Sequence, residues 1–427
     1  MNNILIFWSY QFSQIKHEGW VAVKRKLRKL TNAILVIPII IMAIPIVLII
    51  RSIQPMIWVR FGYFWVNRIG HFVFDVEYYL SEKKLGLHQN NTYDIFFYDG
   101  KPANNFFDKL VRRHLKIVSW SKPLYLTNRL IPGGSRYTVL PANRFCESRD
   151  TKTLLFNKTE TQLSFSTEEN LLGQEFLKNI GITRNEKYIY LIVRDSKYLS
   201  VHEPNTNYED HNYRDSDIDT YKKAILALAE KGYWIFRMGK IVEKPLHINH
   251  ERVIDYANSP YRSDFLDIWL GAHCFFSIST GLGLDAVPVI YRKPIVFVNA
   301  MPLGHINTTY NPNTIWLPKR VVWSDTKQQL TLKEQIQTGI IGFVLTHEYK
   351  DTGVELIDNS PDDIMRSVFE LEEKLSGKWE SQSQDEELYN KFWEILQTWT
   401  LFPKFHGKMQ SKMPVWFLRK NHEWFLA

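Results

Sequence analysis

Cysteine is scarce in this sequence. The chain of 427 residues has 2 cysteines, Cys146 and Cys274, which lie far apart. Two cysteines can form at most one disulfide bond, which is too few to stabilise a secreted protein of this length, and no CxxC pair is present to hold a metal ion. Internal repeats and low-complexity tracts are also absent from the sequence. We therefore expect a chain that folds around hydrophobic cores in a reducing compartment.

Acidic residues are outnumbered by basic ones. The sequence contains 53 Lys and Arg against 45 Asp and Glu, which gives a formal net charge of +8. A basic surplus suits nucleic acid, an anionic membrane surface or phosphorylated substrates. No zinc-finger spacing and no RNA-recognition signature accompanies these charges, so nucleic acid is not expected as a partner. Much of the surplus is local, because five basic residues crowd into the six positions from Lys24 to Lys29.

The sequence has one long apolar run, residues 33–50, interrupted by Pro38 and Pro45. This length is about the lower limit for a membrane-spanning helix. The two prolines can instead kink the segment into a re-entrant or interfacial helix. Basic residues flank the run on both sides, as expected for a segment held at an anionic cytoplasmic surface. We predict that residues 1–52 form a membrane anchor, either monotopic or single-pass, at the cytoplasmic face.

Beyond the anchor, strand-like and helix-like patterns alternate. Strands are predicted at residues 57–61, 93–98, 116–120, 188–193, 233–238, 273–279, 294–298 and 315–317. Such alternation predicts an α/β fold with parallel sheets and right-handed crossovers. We predict two Rossmann-like domains that face a cleft, joined by a polar linker within residues 143–167. Their boundaries are placed at 53–175 and 176–380, with a helical tail at 381–427.

The glycine turn STGLGLDA at residues 279–286 is the most informative motif. A predicted strand ends there in small and hydroxyl residues, and a helix then begins, so backbone N–H groups and the helix dipole favour a phosphate. The letters also fit the dinucleotide fingerprint, but that motif should follow the first strand of its domain, which makes a dehydrogenase the weaker alternative. A merely structural turn is the other alternative. We assign Ser279, Thr280, Gly281 and Asp285 to diphosphate binding.

Two arginines end predicted strands of the same domain. They are Arg194 and Arg237, and Gly239 follows the second of them closely. The carboxyl ends of parallel strands face the ligand crevice, and guanidinium groups can bind phosphate oxygens bidentately. A salt bridge with a nearby acid is the structural alternative for each arginine. We predict that all three residues contribute to the diphosphate site.

A loop with possible acid–base residues follows the first predicted strand. It contains Arg68, Gly70 and His71, and Asp75 lies one helical turn further on. An imidazole there can take a proton from a hydroxyl as general base, although a lone histidine is more often a capping or packing residue. Asp99 ends the next predicted strand and faces the same cleft. We place Arg68, Gly70 and Asp99 on the side of the second substrate.

A carboxylate pair, Asp215 and Asp217, resembles the D-x-D motif that holds a divalent metal in some transferases. The pair lies at a predicted helix start, where Asp and Ser are ordinary caps, and the capping interpretation is favoured. We therefore predict no obligatory metal.

Several longer blocks carry a family resemblance. They are RFGYFWVNRIGHF, YLIVRDSKYL, NYRDSDIDTYKKAILALAEKGYWIFRMG, YANSPYRSDFLDIWLGAHCFFSISTGLGLDAVPVIYRKPIVFVN and, more weakly, FLRKNHEWFL. They resemble bacterial glycosyltransferases encoded among surface-polysaccharide and O-antigen genes, and they cover most of the chain after Met56. The resemblance implies a GT-B fold, a nucleotide-sugar donor, and neither metal nor cofactor. On this basis the diphosphate residues bind the donor, and His71 and Asp75 are the catalytic candidates. We place the chain at the cytoplasmic face of the inner membrane, with a glycan or lipid-linked acceptor.

Two other functions fit the same residues. One is a phosphotransferase that acts on a CDP-activated polyol and shares the fold. Phosphorus in the product would distinguish it from a glycosyltransferase. The other is a non-catalytic scaffold at the membrane, against which the combination of a glycine turn and cleft arginines argues.

Overall fold

The computed structural model describes residues 37–141, 154–202, 209–308 and 310–427, with seven isolated positions between 19 and 35. Residues 143–153 of the predicted linker lie outside the described residues. So do four residues of the basic cluster, Arg25, Lys26, Arg28 and Lys29, whereas Lys24 is described. Contacts divide the chain into two compact units. The first is Met1–Tyr63, Gln89–Tyr98 and Leu115–Leu140, and the second is Phe64–His88, Asp99–His114 and Pro141–Ala427.

The secondary structure is mixed α/β. The strands are β1 (Trp58–Phe64), β2 (Thr92–Tyr98), β3 (Lys116–Ile117), β4 (Thr138–Val139), β5 (Tyr188–Ile192), β6 (Trp234–Met238), β7 (Val253–Ile254), β8 (Phe276–Ser279), β9 (Ile295–Ala300), β10 (Ile315–Pro318), β11 (Arg320–Trp323) and β12 (Val354–Ile357). The helices are α1 (described over residues 37–52), α2 (Ile69–Lys84), α3 (Asn105–His114), α4 (Ser121–Leu130), α5 (Leu155–Lys158), α6 (Thr167–Asn179), α7 (Lys197–His202), α8 (Lys222–Glu230), α9 (Asp264–His273), α10 (Ala286–Ile290), α11 (Leu332–Gln337), α12 (Thr346–Asp351), α13 (Pro361–Ser376), α14 (Asp385–Gln397), α15 (Phe402–Phe405) and α16 (Val415–Phe425).

The first unit is built on a four-stranded sheet in the order β3-β2-β1-β4. The pairs β1–β4 and β2–β3 are parallel. Ala43 and Val47 of α1 pack with Phe61, Phe97 and Leu124 in a small core of this unit. Within the described residues, no helix is long and apolar enough to cross a bilayer. Membrane attachment of the N-terminal segment therefore stays a prediction.

The second unit contains a six-stranded sheet in the order β10-β9-β8-β5-β6-β7, and each of its neighbouring pairs is parallel. Strands β5, β6 and β9 are buried along their whole length, as expected for a sheet that is covered on both faces. The predicted parallel α/β fold is confirmed at this level. Tail residues Phe392 and Leu418 belong to the same core as Ile295 and Leu317 of the sheet.

The strand order creates a switch point beside β5. The chain proceeds from β5 to β6 and β7 on one side and then returns to place β8 on the other side. Ile192 of β5 is in register with Ser279 of β8, so both strands end at the same edge. Just beyond, the backbone N–H of Arg194 donates to Oγ1 of Thr280 at 2.9 Å. In open α/β sheets ligands bind at this kind of position.

Local capping signals in the sequence are reproduced in the structure. The side chains of Ser263 and Ser360 accept backbone N–H groups at the starts of α9 and α13, as the sequences Ser-Asp and Ser-Pro-Asp-Asp at these positions predict. Helix α6 is not among the predicted elements, although Ser166 and Glu169 form a capping box at its start. A cap of this kind satisfies two backbone donors and fixes where the helix begins.

Candidate functional site

A cavity of about 600 Å³ lies at the carboxyl edge of the six-stranded sheet, within the second unit. This volume is in the usual range for small-molecule sites. Seven of the residues assigned to the site from the sequence line it: Arg68, Gly70, His71, Arg194, Gly239, Gly281 and Asp285. The ends of three sheet strands and the first turn of α2 therefore meet at one cavity.

The glycine turn and the first turn of α2 approach each other closely. A Cβ atom on Gly70 would lie 2.7 Å from Cα of Gly283, and one on Gly283 would lie 3.1 Å from N of Gly70. Backbone packs directly on backbone here, so a larger residue at either position would push the two segments apart. Gly281 has a φ of 81°, which favours glycine for a different reason. The structure thus requires the glycines of this motif.

The glycine turn satisfies part of its own hydrogen bonding. Gly281 N–H donates to Oγ of Ser279 at 3.1 Å, and Leu282 N–H donates to Oδ2 of Asp285 at 2.7 Å. Oγ of Ser279 donates to the same Asp285 oxygen at 2.9 Å. Ser279 and Thr280 are buried and do not line the cavity. The glycine motif predicts that backbone N–H groups of the turn bind a phosphate. In the structure, these two N–H groups form hydrogen bonds within the turn instead.

The Asp285 carboxyl has an unusual acidity. Burial raises its pKa from 3.8 to about 7, because removal from water opposes ionisation. The hydrogen bonds from Ser279 and Leu282 and the positive charge of Arg214 lower the pKa and offset only part of this effect. The cavity therefore contains an acid that titrates near neutral pH.

Arginine side chains supply the positive charge of the cavity. Arg194 is 7% exposed, forms an ion pair with Asp215 at 2.9 Å and donates through Nη2 to the carbonyl of His211 at 3.3 Å. Arg214 also lines the cavity, 5.3 Å from the Tyr213 ring centroid. Burial lowers the pKa of His211, and the charges of Arg214, Arg194 and Arg68 lower it further. The positive charges of three guanidinium groups therefore act on the same imidazole.

Arg214 differs from Arg194 in whether an acidic side chain pairs with its guanidinium group. In the part of the chain that the structure describes, no carboxylate forms an ion pair with Arg214. The sequence pattern does not predict this role, because Arg214 lies in a polar connection more than 20 residues after Ile192, the end of β5. Lys240, directly after Gly239, also lines the cavity and was overlooked. Its position after a strand end was a signal that the sequence offered.

Arg237 does not line the cavity, contrary to the sequence-based assignment. It is 1% exposed, its Nη1 lies 3.1 Å from Oδ1 of Asp255, and its Nη2 donates to the Lys244 carbonyl at 2.9 Å. The reason is its register. Arg194 lies two residues beyond Ile192, the end of β5, whereas Arg237 lies inside β6, one residue before its end at Met238. Its side chain is therefore a buried structural partner of Asp255.

A second, smaller pocket of about 310 Å³ adjoins this region of the second unit. It is lined by Trp65, Asn67, Arg68, His71 and Asp99, so Arg68 and His71 line both cavities. The Trp65 and His71 rings lie edge to face with centroids 5.5 Å apart. An exposed indole beside amide and carboxylate groups is a surface that suits a polar ring with an apolar face, such as a sugar.

The acids of α2 are buried away from both cavities. Asp75 is 1% exposed and lines neither of them. Glu77 accepts from Nη2 of Arg292 at 2.9 Å and from the Gln162 N–H at 3.1 Å. Burial raises the Glu77 pKa from 4.5 to about 7, and the attraction of Arg292 offsets only part of this effect. Glu77 therefore fixes α2 within the second unit.

The D-x-D carboxylates have structural partners. Asp217 accepts the backbone N–H of Asp219 at 3.0 Å as a helix cap, and Asp215 pairs with Arg194. Among the described residues, no group of three or more His, Cys, Asp or Glu side chains is arranged to hold a metal ion. The capping interpretation is confirmed for Asp217, while metal independence of the reaction stays a prediction.

Comparisons with known proteins identify no family. No family model and no curated protein matches the chain. One similar solved structure is the family 9 glycosyltransferase of Veillonella parvula, at 12% identity and a TM-score of 0.42, covering 74% of this chain and 97% of that one. A second is TibC, an iron-containing dodecameric glycosyltransferase of enterotoxigenic Escherichia coli, at 11% identity and 0.41, covering 75% and 77%. A third is ADP-heptose LPS heptosyltransferase II of Escherichia coli, at 11% and 0.33, covering 56% and 84%. At scores this low the chemistry of the site rests on its own residues.

Proposed function

We propose that this chain is a GT-B glycosyltransferase that moves a sugar from a nucleotide-activated donor to a lipid-linked or glycan acceptor in cell-surface polysaccharide synthesis. The observation that carries the proposal is the cluster of Arg68, Arg194 and Arg214 at the switch point of a parallel sheet. Guanidinium groups bind phosphate oxygens with charge-assisted hydrogen bonds, and this position is where such sheets bind ligands. A nucleoside diphosphate sugar has the charge and size for a cavity of about 600 Å³.

The proposed step balances without an added cofactor. The acceptor oxygen forms a bond to the anomeric carbon, and its proton passes to a base. The bond between the anomeric carbon and the donor phosphate oxygen breaks, and its electron pair leaves with the nucleoside diphosphate. Arg194 and Arg214 would stabilise the charge that develops on this leaving group, because charge stabilisation in a desolvated site is strong.

His71 is the proposed base because it lines both cavities. The acceptor would place its sugar against Trp65 and Asp99 in the smaller pocket, and the donor would occupy the larger one. Asp75 lies one turn after His71 on α2, so it would act as a positioning residue rather than contact either substrate. This arrangement brings an acceptor hydroxyl and the donor to the same imidazole.

The first test is a panel of nucleotide sugars offered to the full chain, with thermal stabilisation and nucleotide release as measurements. We expect one donor to raise the melting temperature and to release its nucleoside diphosphate when an acceptor is present. A phosphate-containing product would instead indicate the polyol phosphotransferase. If donors bind but no nucleoside diphosphate is released with any donor and acceptor, the chain would be a non-catalytic scaffold.

Changing His71 to glutamine should then lower kcat for sugar transfer about 100- to 10,000-fold, because the acceptor proton loses its base. The donor dissociation constant should change little, since glutamine keeps a polar side chain of similar size. His114 at the exposed end of α3 offers a matched control, and His114→Gln should leave kcat unchanged. A normal kcat in His71→Gln would exclude the imidazole as base.

Donor affinity should depend on pH through Asp285. Since burial raises its pKa to about 7, the carboxyl loses its proton as pH rises through that value and adds negative charge to the cavity. We expect the affinity for a nucleotide sugar to be highest below pH 7 and to fall about three- to tenfold by pH 8, as one charge is added nearby. Calorimetric titration of wild type and Asp285→Asn would show a slope in the first and a flat profile in the second. Equal slopes would assign the effect to another group.

A further inference from the structure

Helix α1 exposes apolar side chains over most of its surface. Only a narrow stripe is covered, at Ala43 (4% exposed) and Val47 (0%), which pack into the core of the first unit. The remaining faces carry large aliphatic side chains, and Met42 and Ile49 are 74% and 65% exposed. Met56, in the turn after the helix, is 85% exposed. Contiguous apolar surface of this extent is a mark of an interaction site.

Helix α4 adds a second apolar contact in the same unit. Trp120 at its start is 67% exposed, and Leu130 at its end is 70% exposed. The two helices are fixed to one another, because Arg51 of α1 donates through Nε to Oδ1 of Asn128 at 3.0 Å and through Nη2 to its carbonyl at 2.9 Å. Oγ1 of Thr127 also donates to the Ile40 carbonyl at 3.4 Å. The exposed residues of α1 and α4 thus belong to one packed pair of helices.

The charge of the first unit is strongly one-sided. Its segments 1–63, 89–98 and 115–140 contain 12 Lys and Arg against 2 Asp and Glu, a net charge of +10. The whole chain has +8, so the second unit is slightly acidic. Asp94, one of the two acids, is paired with Arg60 at 2.7 Å. The positive surplus of the protein therefore lies entirely in the unit with the exposed apolar helix.

We propose that α1 and α4 form a docking surface for an anionic lipid bilayer. Aliphatic side chains would enter the boundary between headgroups and acyl chains, with Trp120 at the interface and Lys122 and Arg129 toward lipid phosphates. The positive charge of this unit favours an anionic bilayer over a second copy of the chain as the binding partner. A contact between two copies would bring together two units that each have a net charge of +10. The proposal is independent of glycosyl transfer.

The test is flotation of the full chain with phosphatidylcholine vesicles, either neutral or containing about 30 mol% phosphatidylglycerol. We expect binding to the anionic vesicles at least tenfold tighter than to the neutral ones. The exposed double variant Met42→Gln/Ile49→Gln should bind anionic vesicles at least tenfold more weakly. Leu171 and Leu172 of α6 are 59% and 55% exposed and lie in the other unit, so Leu171→Gln/Leu172→Gln is the matched control and should bind normally.

Charge is tested separately with Lys122→Gln/Arg129→Gln, both exposed on α4. Each basic residue near an anionic surface contributes about fivefold in affinity, so this variant should lose about 10- to 30-fold on anionic vesicles and little on neutral ones. Equal binding by all variants would overturn the proposal. So would wild type that leaves both vesicle types unbound and forms dimers in size-exclusion chromatography.

Discussion

Replacing Arg214 with alanine should weaken nucleotide-sugar binding by about 10- to 150-fold, the usual range for loss of one charge-assisted hydrogen bond. Because no carboxylate forms an ion pair with Arg214 in the described part of the chain, its removal breaks no buried salt bridge. The melting temperature should therefore change little. Titration calorimetry and a thermal melt on the same preparation would measure both quantities.

Arg237 is the natural counterpart, since it is the arginine that the sequence placed in the same site. Its guanidinium is buried against Asp255, so Arg237→Ala should cost about 3–5 kcal/mol of unfolding free energy. Any folded fraction should bind donor normally. The opposite pattern, with normal stability and lost binding in Arg237→Ala but not in Arg214→Ala, would restore the sequence-based assignment and refute ours.

Removal of the Glu77 carboxylate should destabilise the fold strongly. Glu77→Ala leaves the Arg292 guanidinium and the Gln162 N–H without their shared acceptor in a buried position. Such a change costs about 3–5 kcal/mol when one partner of a buried pair is lost. Urea unfolding at pH 5, well below the raised pKa of Glu77, would measure this loss where the contribution of Glu77 is large. A loss below about 1 kcal/mol would show that solvent reaches this pair.

Two further variants separate charge from shape at this position. Glu77→Gln keeps an acceptor of the same size, and Glu77→Ala/Arg292→Met removes both charges, so each should lose less stability than Glu77→Ala alone. Burial raises the Glu77 pKa from 4.5 to about 7, so the folded chain holds this proton more tightly than the unfolded chain does. Its contribution to stability is therefore largest below the unfolded pKa and declines as pH rises through about 7. That part of the pH slope should vanish in Glu77→Gln.

The glycine turn shows how far pattern carries a site prediction. Its position at the end of a buried strand followed from the run of apolar residues before Ser279, and the structure places the turn at the sheet edge. The sequence could not show that Gly283 faces Gly70, because the two residues are more than 200 positions apart and meet only in the folded chain. Nor could it show that the turn satisfies two of its own N–H groups.

The positions of Arg194 and Arg237 show that sequence pattern does not predict which individual side chains reach the cavity. Arg194 and Arg237 looked equivalent because both follow hydrophobic strand residues. A difference of a few residues in strand end leaves Arg194 at the cavity and buries Arg237 in the sheet. Strand ends are poorly encoded, since the last ladder hydrogen bonds depend on the neighbouring strand.

By itself the sequence determined the local features: the parallel α/β pattern, the caps at Ser263 and Ser360, and the apolar composition of residues 33–50. These depend on side-chain periodicity and on hydrogen bonds between near neighbours, which a single chain segment contains. Only the tertiary structure decided that Arg214 lines the cavity, that Glu77 pairs with Arg292, and that the positive surplus shares one unit with α1. Each of these depends on long-range contacts, whose partners are chosen by packing of the whole chain rather than by any local pattern.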